Sequence, residues 1–471
     1  MTTSLGGGPM RKKSIKLAAV PVALALVAGA CGSDSDEAAD ETEDTAAASD
    51  DEAMEEEEDA GDATDFDGAT VSITGPERDD PSIASLNDTL AAFGETVNLN
   101  IEYTGDADWE ANINTQVEGG NPPNISFFPQ PGKLADFARE GFIFPVSAEV
   151  DATIDANWAE GFQIYGNVDG TQYGVPAKTD LKSLVWYQPA RFEEAGYAIP
   201  ETFEEFTALI DTIAAAGDGK PPCVGIESGQ ATGWTYTDWV EEMVLRLHGG
   251  DVYDQWVDNS IPFDDPQIVE AMQAVVDLWT EDNVFAAGGS IAATSFADNG
   301  QPLVDGQCWM HRQANFFAGL FPEGTVFADG SAEAVDVFYF PDINGDRPVL
   351  TAGIYAAAFD EDPATMAVMN FIATSEYAEN RQANQKEFLG GGDVLSGYLS
   401  AANSQDPSVY GALEQSFLEI LNTSELARFD GSDLMPADVG AGTFWSEGTS
   451  LVNGDVDAAT AATAINDSWP S

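Results

Sequence analysis

Ala69-Thr-Val-Ser-Ile-Thr-Gly-Pro76 and Val97-Asn-Leu-Asn-Ile-Glu-Tyr-Thr-Gly105 stand on either side of a polar, weakly helical stretch, and together they decide the fold. The first is a β-branched run that stops at Gly-Pro. In the second, Val97, Leu99, Ile101 and Tyr103 alternate with polar residues, the period of two that a half-buried strand requires. A third strand is expected at Asn124–Phe128, directly after Pro122-Pro123, and a helix over Leu134–Glu140. Strand and helix in alternation predict an α/β fold with helices covering a parallel or mixed sheet. In such sheets ligands sit beyond the carboxyl ends of the strands. The loops Pro76–Asp80, Thr104–Asp108 and Phe128–Gly132 are therefore the candidate ligand loops.

Further along, Thr202-Phe-Glu-Glu205 is a capping box: the Thr202 hydroxyl accepts from the Glu205 amide while that carboxylate reaches back. The helix it starts carries Phe203, Phe206, Leu209, Ile210 and Ile213 on one face and ends near Gly217. Asp265-Pro266 starts another, with Val269, Met272, Val276 and Trp279 at helical spacing, and Asp362-Pro363 a third through Met366, Met369 and Ile372. Such stripes, and Trp256 with them, belong to the core.

Outward from the body, the amino end has its own pattern. Arg11, Lys12, Lys13 and Lys16 precede an apolar run, Leu17–Ala30, that stops at Cys31, the layout of a secretory signal over residues 1–30. At 14 residues the run is short of the roughly 20 that a membrane span needs. Ala28, Gly29 and Ala30 before Cys31 resemble the bacterial lipobox, with alanine in place of the usual leucine, and this implies lipidation of Cys31; an ordinary signal peptide with a chance cysteine is the alternative. Asp34–Asp67 holds 18 Asp or Glu and no Lys or Arg, so residues 31–67 are expected to form a disordered, charge-extended stalk behind the anchor.

The formal charge is −65, and without residues 1–30 it falls near −69, with 13 basic groups against 82 acidic. Nucleic acid is excluded as a partner, since phosphate binding needs a cationic footprint. So acidic a body repels itself in dilute buffer and is calmed by salt within a screening length of about 10 Å. This implies a saline habitat, against a secreted protein that is merely very soluble. A melting temperature that climbs with added salt is the expected result.

About 400 residues follow the stalk, enough for two domains with substantial cores. Cys223 and Cys308 are left beyond Cys31; outside the reducing cytosol an even count implies a bridge, with two buried free thiols as the alternative. With two histidines and no paired-cysteine motif, no metal or cofactor is expected. Asp342-Ile-Asn344-Gly-Asp346 resembles half of a calcium loop but lacks its closing Glu, and reads as a turn. No phosphate-cradling loop or nucleophile elbow appears. Trp186, Trp234, Trp239, Trp309 and Trp445 fall near glycines, prolines or small polar residues, as rings that stack on sugar faces do, although a single tryptophan is more often core.

Tyr173-Gly-Val-Pro-Ala-Lys178, Ser183-Leu-Val-Trp-Tyr187, Phe192-Glu-Glu-Ala-Gly196 and Thr202-Phe-Glu-Glu-Phe206 together resemble the signature of the family 1 extracellular solute-binding proteins. Pro122-Pro-Asn-Ile-Ser-Phe-Phe-Pro-Gln-Pro-Gly132, Ala231-Thr-Gly-Trp-Thr-Tyr-Thr-Asp-Trp239 and Arg428-Phe-Asp-Gly-Ser-Asp-Leu-Met-Pro436 are similar to its α-glucoside-binding branch, with Gln188 and Asn124 departing from the usual asparagine and aspartate. The resemblance implies a two-lobed periplasmic-binding-protein-like fold with a central ligand cleft and several interlobe crossovers. Lobe one is expected at 69–177 plus 339–375, and lobe two at 178–338 plus 376–471. It implies, further, a monomer that captures an oligosaccharide without chemistry and hands it to the permease subunits of an ABC importer.

By the same resemblance to maltodextrin-binding relatives, Glu77 and Arg78 are expected as charged sugar contacts, Phe128 and Gln130 as contacts after the third strand, and Asp180 as a carboxylate at the lobe crossover. Trp234 and Trp445 match aromatic platforms, and Arg312 and Gln313 end a strand that delivers another. Trp186, Trp239, Asp433 and Phe444 are expected near the cleft. The rivals are an anchored glycoside hydrolase, which would release reducing sugar, and a member of the family that takes a non-sugar ligand such as a polyamine.

Overall fold

The computed structural model describes residues 65–470 apart from Asp393. The signal, Cys31 and nearly all of the stalk lie outside the described residues. Among the described residues no helix is long and apolar enough to cross a membrane.

Two sheets organise the chain. The first contains β1 (Ala69–Gly75), β2 (Leu99–Gly105), β3 (Ile125–Phe128), β4 (Val175–Leu181), β9 (Val349–Ala358) and β10 (Ala427–Phe429). The second contains β5 (Leu184–Tyr187), β6 (Lys220–Pro222), β7 (Cys308–Arg312) and β8 (Asp336–Tyr339), in the order β8-β5-β7-β6. β1 pairs in parallel with β2 and β3, as the strand–helix–strand pattern predicts. The ten-residue β9 runs antiparallel to β3 and β4 and parallel to β10. Its sequence, Val-Leu-Thr-Ala-Gly-Ile-Tyr-Ala-Ala-Ala, is apolar on both faces because both are covered.

The helices that matter for the site are α1 (Asp80–Val97), α2 (Pro131–Glu140), α3 (Phe203–Ala216), α4 (Trp234–His248), α5 (Pro363–Ile372), α6 (Ser375–Phe388) and α7 (Trp445–Val452). The capping box of α3 forms as expected, with Glu205 N donating to Thr202 Oγ1 at 3.2 Å. α2 begins three residues before its expected start, because Pro131 fits the first helical turn. Val71, Ile73, Ile101 and Ile125 of the first sheet pack on Leu86 and Leu90 of α1 and Val368 and Ile372 of α5. Val185, Tyr187 and Met310 of the second sheet pack on Phe206 and Ile210 of α3 and Val240 and Val244 of α4. Each such aliphatic side chain contributes about 1.5–3 kcal/mol by leaving water.

The chain passes between the sheets at Lys182-Ser183 and again over Phe340–Pro348. The first crossing lies four residues beyond the expected 177/178 boundary, since β4 stays paired to β9 through Leu181. The tail also departs from expectation. α6 packs on α1, Tyr377, Ala401 and Ala402 join the first-sheet core, and β10 joins the first sheet itself. Only farther on do Phe444, Leu451 and Ile465 join the second core. The buried residues of α6 are Tyr377 and Ala378 in its first turn and then Arg381, Gln382 and Gln385, so no apolar stripe runs along its length to announce its partner.

Cys223, just after β6, is bridged to Cys308, the first residue of β7, with Cα atoms 5.5 Å apart. The disulfide ties two neighbouring parallel strands of the second sheet.

Candidate functional site: a cavity between the two sheets

A cavity of about 420 Å³ lies between the sheets, within the range of small-molecule sites. The loop after β1 supplies Glu77 and Arg78, the loop after β2 supplies Ala107, and the loop after β3 supplies Gln130. These are the three loops beyond the strands' carboxyl ends. β4 and the crossing residue after it supply Lys178, Asp180 and Lys182, at i, i+2 and i+4 on one face. The far wall carries Trp234, Phe296, Phe316 and Trp445, and the tail brings Tyr398, Asp430 and Asp433.

Backbone contacts fix this lining. α4 starts from Gly233, whose φ of +113° favours glycine, and a Cβ there would lie 2.3 Å from the Trp445 carbonyl oxygen. Its absence lets Trp234 and Trp445 stand together. At Gly105 a Cβ would lie 2.2 Å from the Glu77 carbonyl, so the loop bearing Glu77 rests directly on the end of β2.

Two buried charge clusters meet the cavity. In the first, Arg381 Nη2 of α6 donates to Glu77 Oε1 at 2.7 Å, and Lys178 Nζ lies 3.2 Å from the same oxygen and 3.5 Å from Asp180 Oδ2. Burial pushes the Glu77 carboxyl up, but Arg381 and Lys178 together outweigh it and hold the group at about 2. Asp180 must share Lys178 with Glu77, so burial prevails and its carboxyl shifts up. In the second cluster Lys182 Nζ donates to Asp238 Oδ1 at 2.8 Å and also to Asp430. Arg312 bridges Asp238 and Glu242, each at 2.8 Å, and Arg246 closes the row on Glu242. Burial raises the Asp430 carboxyl, yet Lys182 brings it to about 2.

Buried polar atoms facing this cavity are left without partners: Glu77 Oε2, Gln130 Oε1 and Trp445 Nε1. Leaving such atoms unpaired costs about 1–3 kcal/mol each, so the cavity can reward a group that donates to the two oxygens and accepts from the indole. Arg381 does not line the cavity, but it orients Glu77. Exchanging Arg381 for methionine is expected to let the Glu77 carboxyl climb under burial. Ligand affinity should then fall more steeply between pH 7 and 4 in the variant than in the wild type, whose Glu77 carboxyl stays ionised over that range; a variant profile parallel to the wild type, by calorimetry, would remove this role.

The expected contacts divide cleanly. Glu77, Arg78, Gln130, Asp180, Trp234, Trp445 and Asp433 all line the cavity. Phe128, Arg312, Gln313, Trp186, Trp239 and Phe444 do not. Phe128 ends a strand buried on both faces and packs edge-on to Trp109 and Phe137. Arg312 turns inward to its two carboxylates. The Gln313 amide oxygen folds back to accept from Ala314 N at 2.8 Å, while its carbonyl accepts from Trp186 Nε1 at 2.9 Å. Trp186 sits in the second sheet against Phe321, Trp239 edge-on to Trp279 and Phe340, and Phe444 edge-on to Trp256 and Phe263. These three tryptophan and phenylalanine rings are large apolar groups packed on other aromatic rings of the core. Missed were Lys178 and Lys182, although charged residues alternating about Asp180 in a buried strand were a readable signal. Arg381, Phe296 and Phe316 carried none.

Comparison with known proteins agrees with this geometry. Residues 80–379 match the model of a family described as bacterial extracellular solute-binding protein. The chain is 36% identical over 424 residues to the alpha-glucosides-binding periplasmic protein AglE of Rhizobium meliloti (strain 1021), covering 86% of this chain and 88% of that one. It is 36% identical over 397 residues to the osmoprotective compounds-binding protein GgtB of Synechocystis sp., covering 82% and 89%. The fold is shared with the bacterial solute receptor AcbH, at 18% identity and a TM-score of 0.69 over 85% of this chain and 98% of that one.

Proposed function

The chain belongs to the bacterial extracellular solute-binding protein family, and on that premise we propose that it captures an α-glucoside between its two sheets and delivers it to the permease of an ABC importer. The observation that carries the ligand class is the mixed lining of the cavity: the aromatic residues Trp234 and Trp445 stand with Glu77, Gln130 and Asp180, whose planar groups can accept hydrogen bonds. A pyranose has the matching surfaces, apolar C–H faces and a rim of hydroxyls. The name of the Rhizobium relative supports the same ligand.

On this reading Glu77, Arg78, Gln130, Asp180, Trp234 and Trp445 contact the sugar, with Asp433 at the edge of the site. Domain closure over the sugar supplies the signal to the permease, since a ligand shifts an equilibrium only through its differential affinity for the two states. The protein acts outside the cytoplasm, held at the membrane through a lipid on Cys31, and binds as a monomer without turning its ligand over.

A thermal-shift screen at high salt over di- and trisaccharides, with spermidine beside them, tests the class. Stabilisation by α-linked glucosides is expected, and stabilisation by spermidine alone would overturn it. Within that frame Trp445→Ala should weaken binding by about 1–3 kcal/mol, mostly lost stacking and buried area. Unchanged affinity in calorimetry would take the ring out of the site.

A further inference from the structure

Around Lys182 the buried charges do not balance. Asp238, Glu241, Glu242, Asp430 and Asp433 face three cations, Lys182, Arg246 and Arg312. The cations are all paired: Lys182 with Asp238 and Asp430, Arg312 with Asp238 and Glu242, Arg246 with Glu242. Asp430 is satisfied by Lys182, the Ser432 hydroxyl and the Asp433 amide. Two carboxyls are left over. Glu241 accepts from Ser432 N through Oε1 at 2.9 Å, but its buried Oε2 has no partner. Asp433 is nine-tenths buried and lines the cavity, and among the described residues no donor reaches its carboxylate. Glu110, in the first turn of the helix Trp109–Glu118 that follows β2, lines the same cavity. The lining cation without a carboxylate partner, Arg78, is exposed and lies over the Phe296 ring at 6.0 Å.

We infer that the cavity selects its glycoside by charge, preferring a sugar that presents a protonated amine to Asp433 and rejecting one that presents a carboxylate there. This rests on the glucoside reading and narrows it. An ammonium would supply the missing positive charge and the donors that Asp433 lacks. A carboxylate would be held against Asp433, Asp430 and Glu110, where Lys182 is already paired with Asp238 and Asp430 and the unpaired Arg78 is exposed. Burial first, and then the Asp430 charge, raise the Asp433 carboxyl far above its usual range, and an ammonium beside it would favour its ionised form.

The test is calorimetry on the mature protein with three matched probes: trehalose, its 2-amino-2-deoxy analogue and its monouronate. The amine is expected to bind at least as tightly as trehalose, and the uronate on the order of 100-fold more weakly than the amine, because like charges juxtaposed out of water are strongly disfavoured. Asp433→Asn should shrink the uronate-to-amine ratio by about tenfold, and Glu110→Gln should move it the same way. A uronate that binds within about threefold of the amine, or a ratio unmoved in both variants, overturns charge selection. Calcium is the control for another cation filling the deficit: if it stabilises the free protein and erases the ratio, the spare carboxyls belong to a metal and the inference falls. Failure of trehalose and every other neutral α-glucoside to bind would instead sink the glucoside reading itself.

Discussion

Arg312→Met is expected to lower the stability of the fold by about 3–5 kcal/mol, a large share of the roughly 5–15 kcal/mol that holds a domain together. Arg312 is buried, and its guanidinium spans Asp238 and Glu242. Removing it leaves Asp238 with Lys182 alone and Glu242 with Arg246 alone, both away from water. The desolvation already spent on those carboxylates is then no longer offset. Denaturant titration should show the drop, and Arg312→Met combined with Asp238→Asn and Glu242→Gln should recover much of it, because the apolar and amide replacements leave no orphaned charge. A variant of normal stability with weakened ligand binding would return Arg312 to the role that its place at the end of β7 first suggested.

The second large effect concerns Cys223 and Cys308. The bridge closes a sequence separation of 85, and replacing both cysteines by serine is expected to lower stability by about 4 kcal/mol through the entropy returned to the unfolded chain. Neither cysteine lines the cavity, so sugar affinity at a temperature where the variant is folded should be unchanged. Stability within about 1 kcal/mol of wild type would show that the second sheet does not depend on the staple.

What could be read from the sequence follows from the range of the interactions involved. β1, β2 and β3 were legible because alternation and Gly-Pro punctuation are local, and they led directly to three loops that line the cavity. Trp234 and Trp445 were legible through motif likeness and because a glycine stands directly before Trp234. The fate of Arg312 was not, since its partners lie 74 and 70 residues away and an arginine at a strand end looks the same whether it meets a ligand or two carboxylates. Trp186 and Trp239 misled for the same reason: flanking small residues do not say which face of a strand or helix is covered. α6 is the extreme case. Beyond Tyr377 and Ala378 its buried residues are polar, it pairs with Glu77 across 304 residues, and no apolar stripe along Ser375–Phe388 points to the first sheet.

The central claim is that this cavity binds an α-glucoside and leaves it intact. The direct measurement is calorimetric titration of the mature protein with maltose, trehalose and sucrose in high-salt buffer, with the mixture assayed afterwards for released reducing sugar. Saturable binding of at least one of them at one site per chain, with no sugar released, is the predicted result. Release of reducing sugar, or no heat with any α-glucoside while another ligand class saturates the protein, would contradict it.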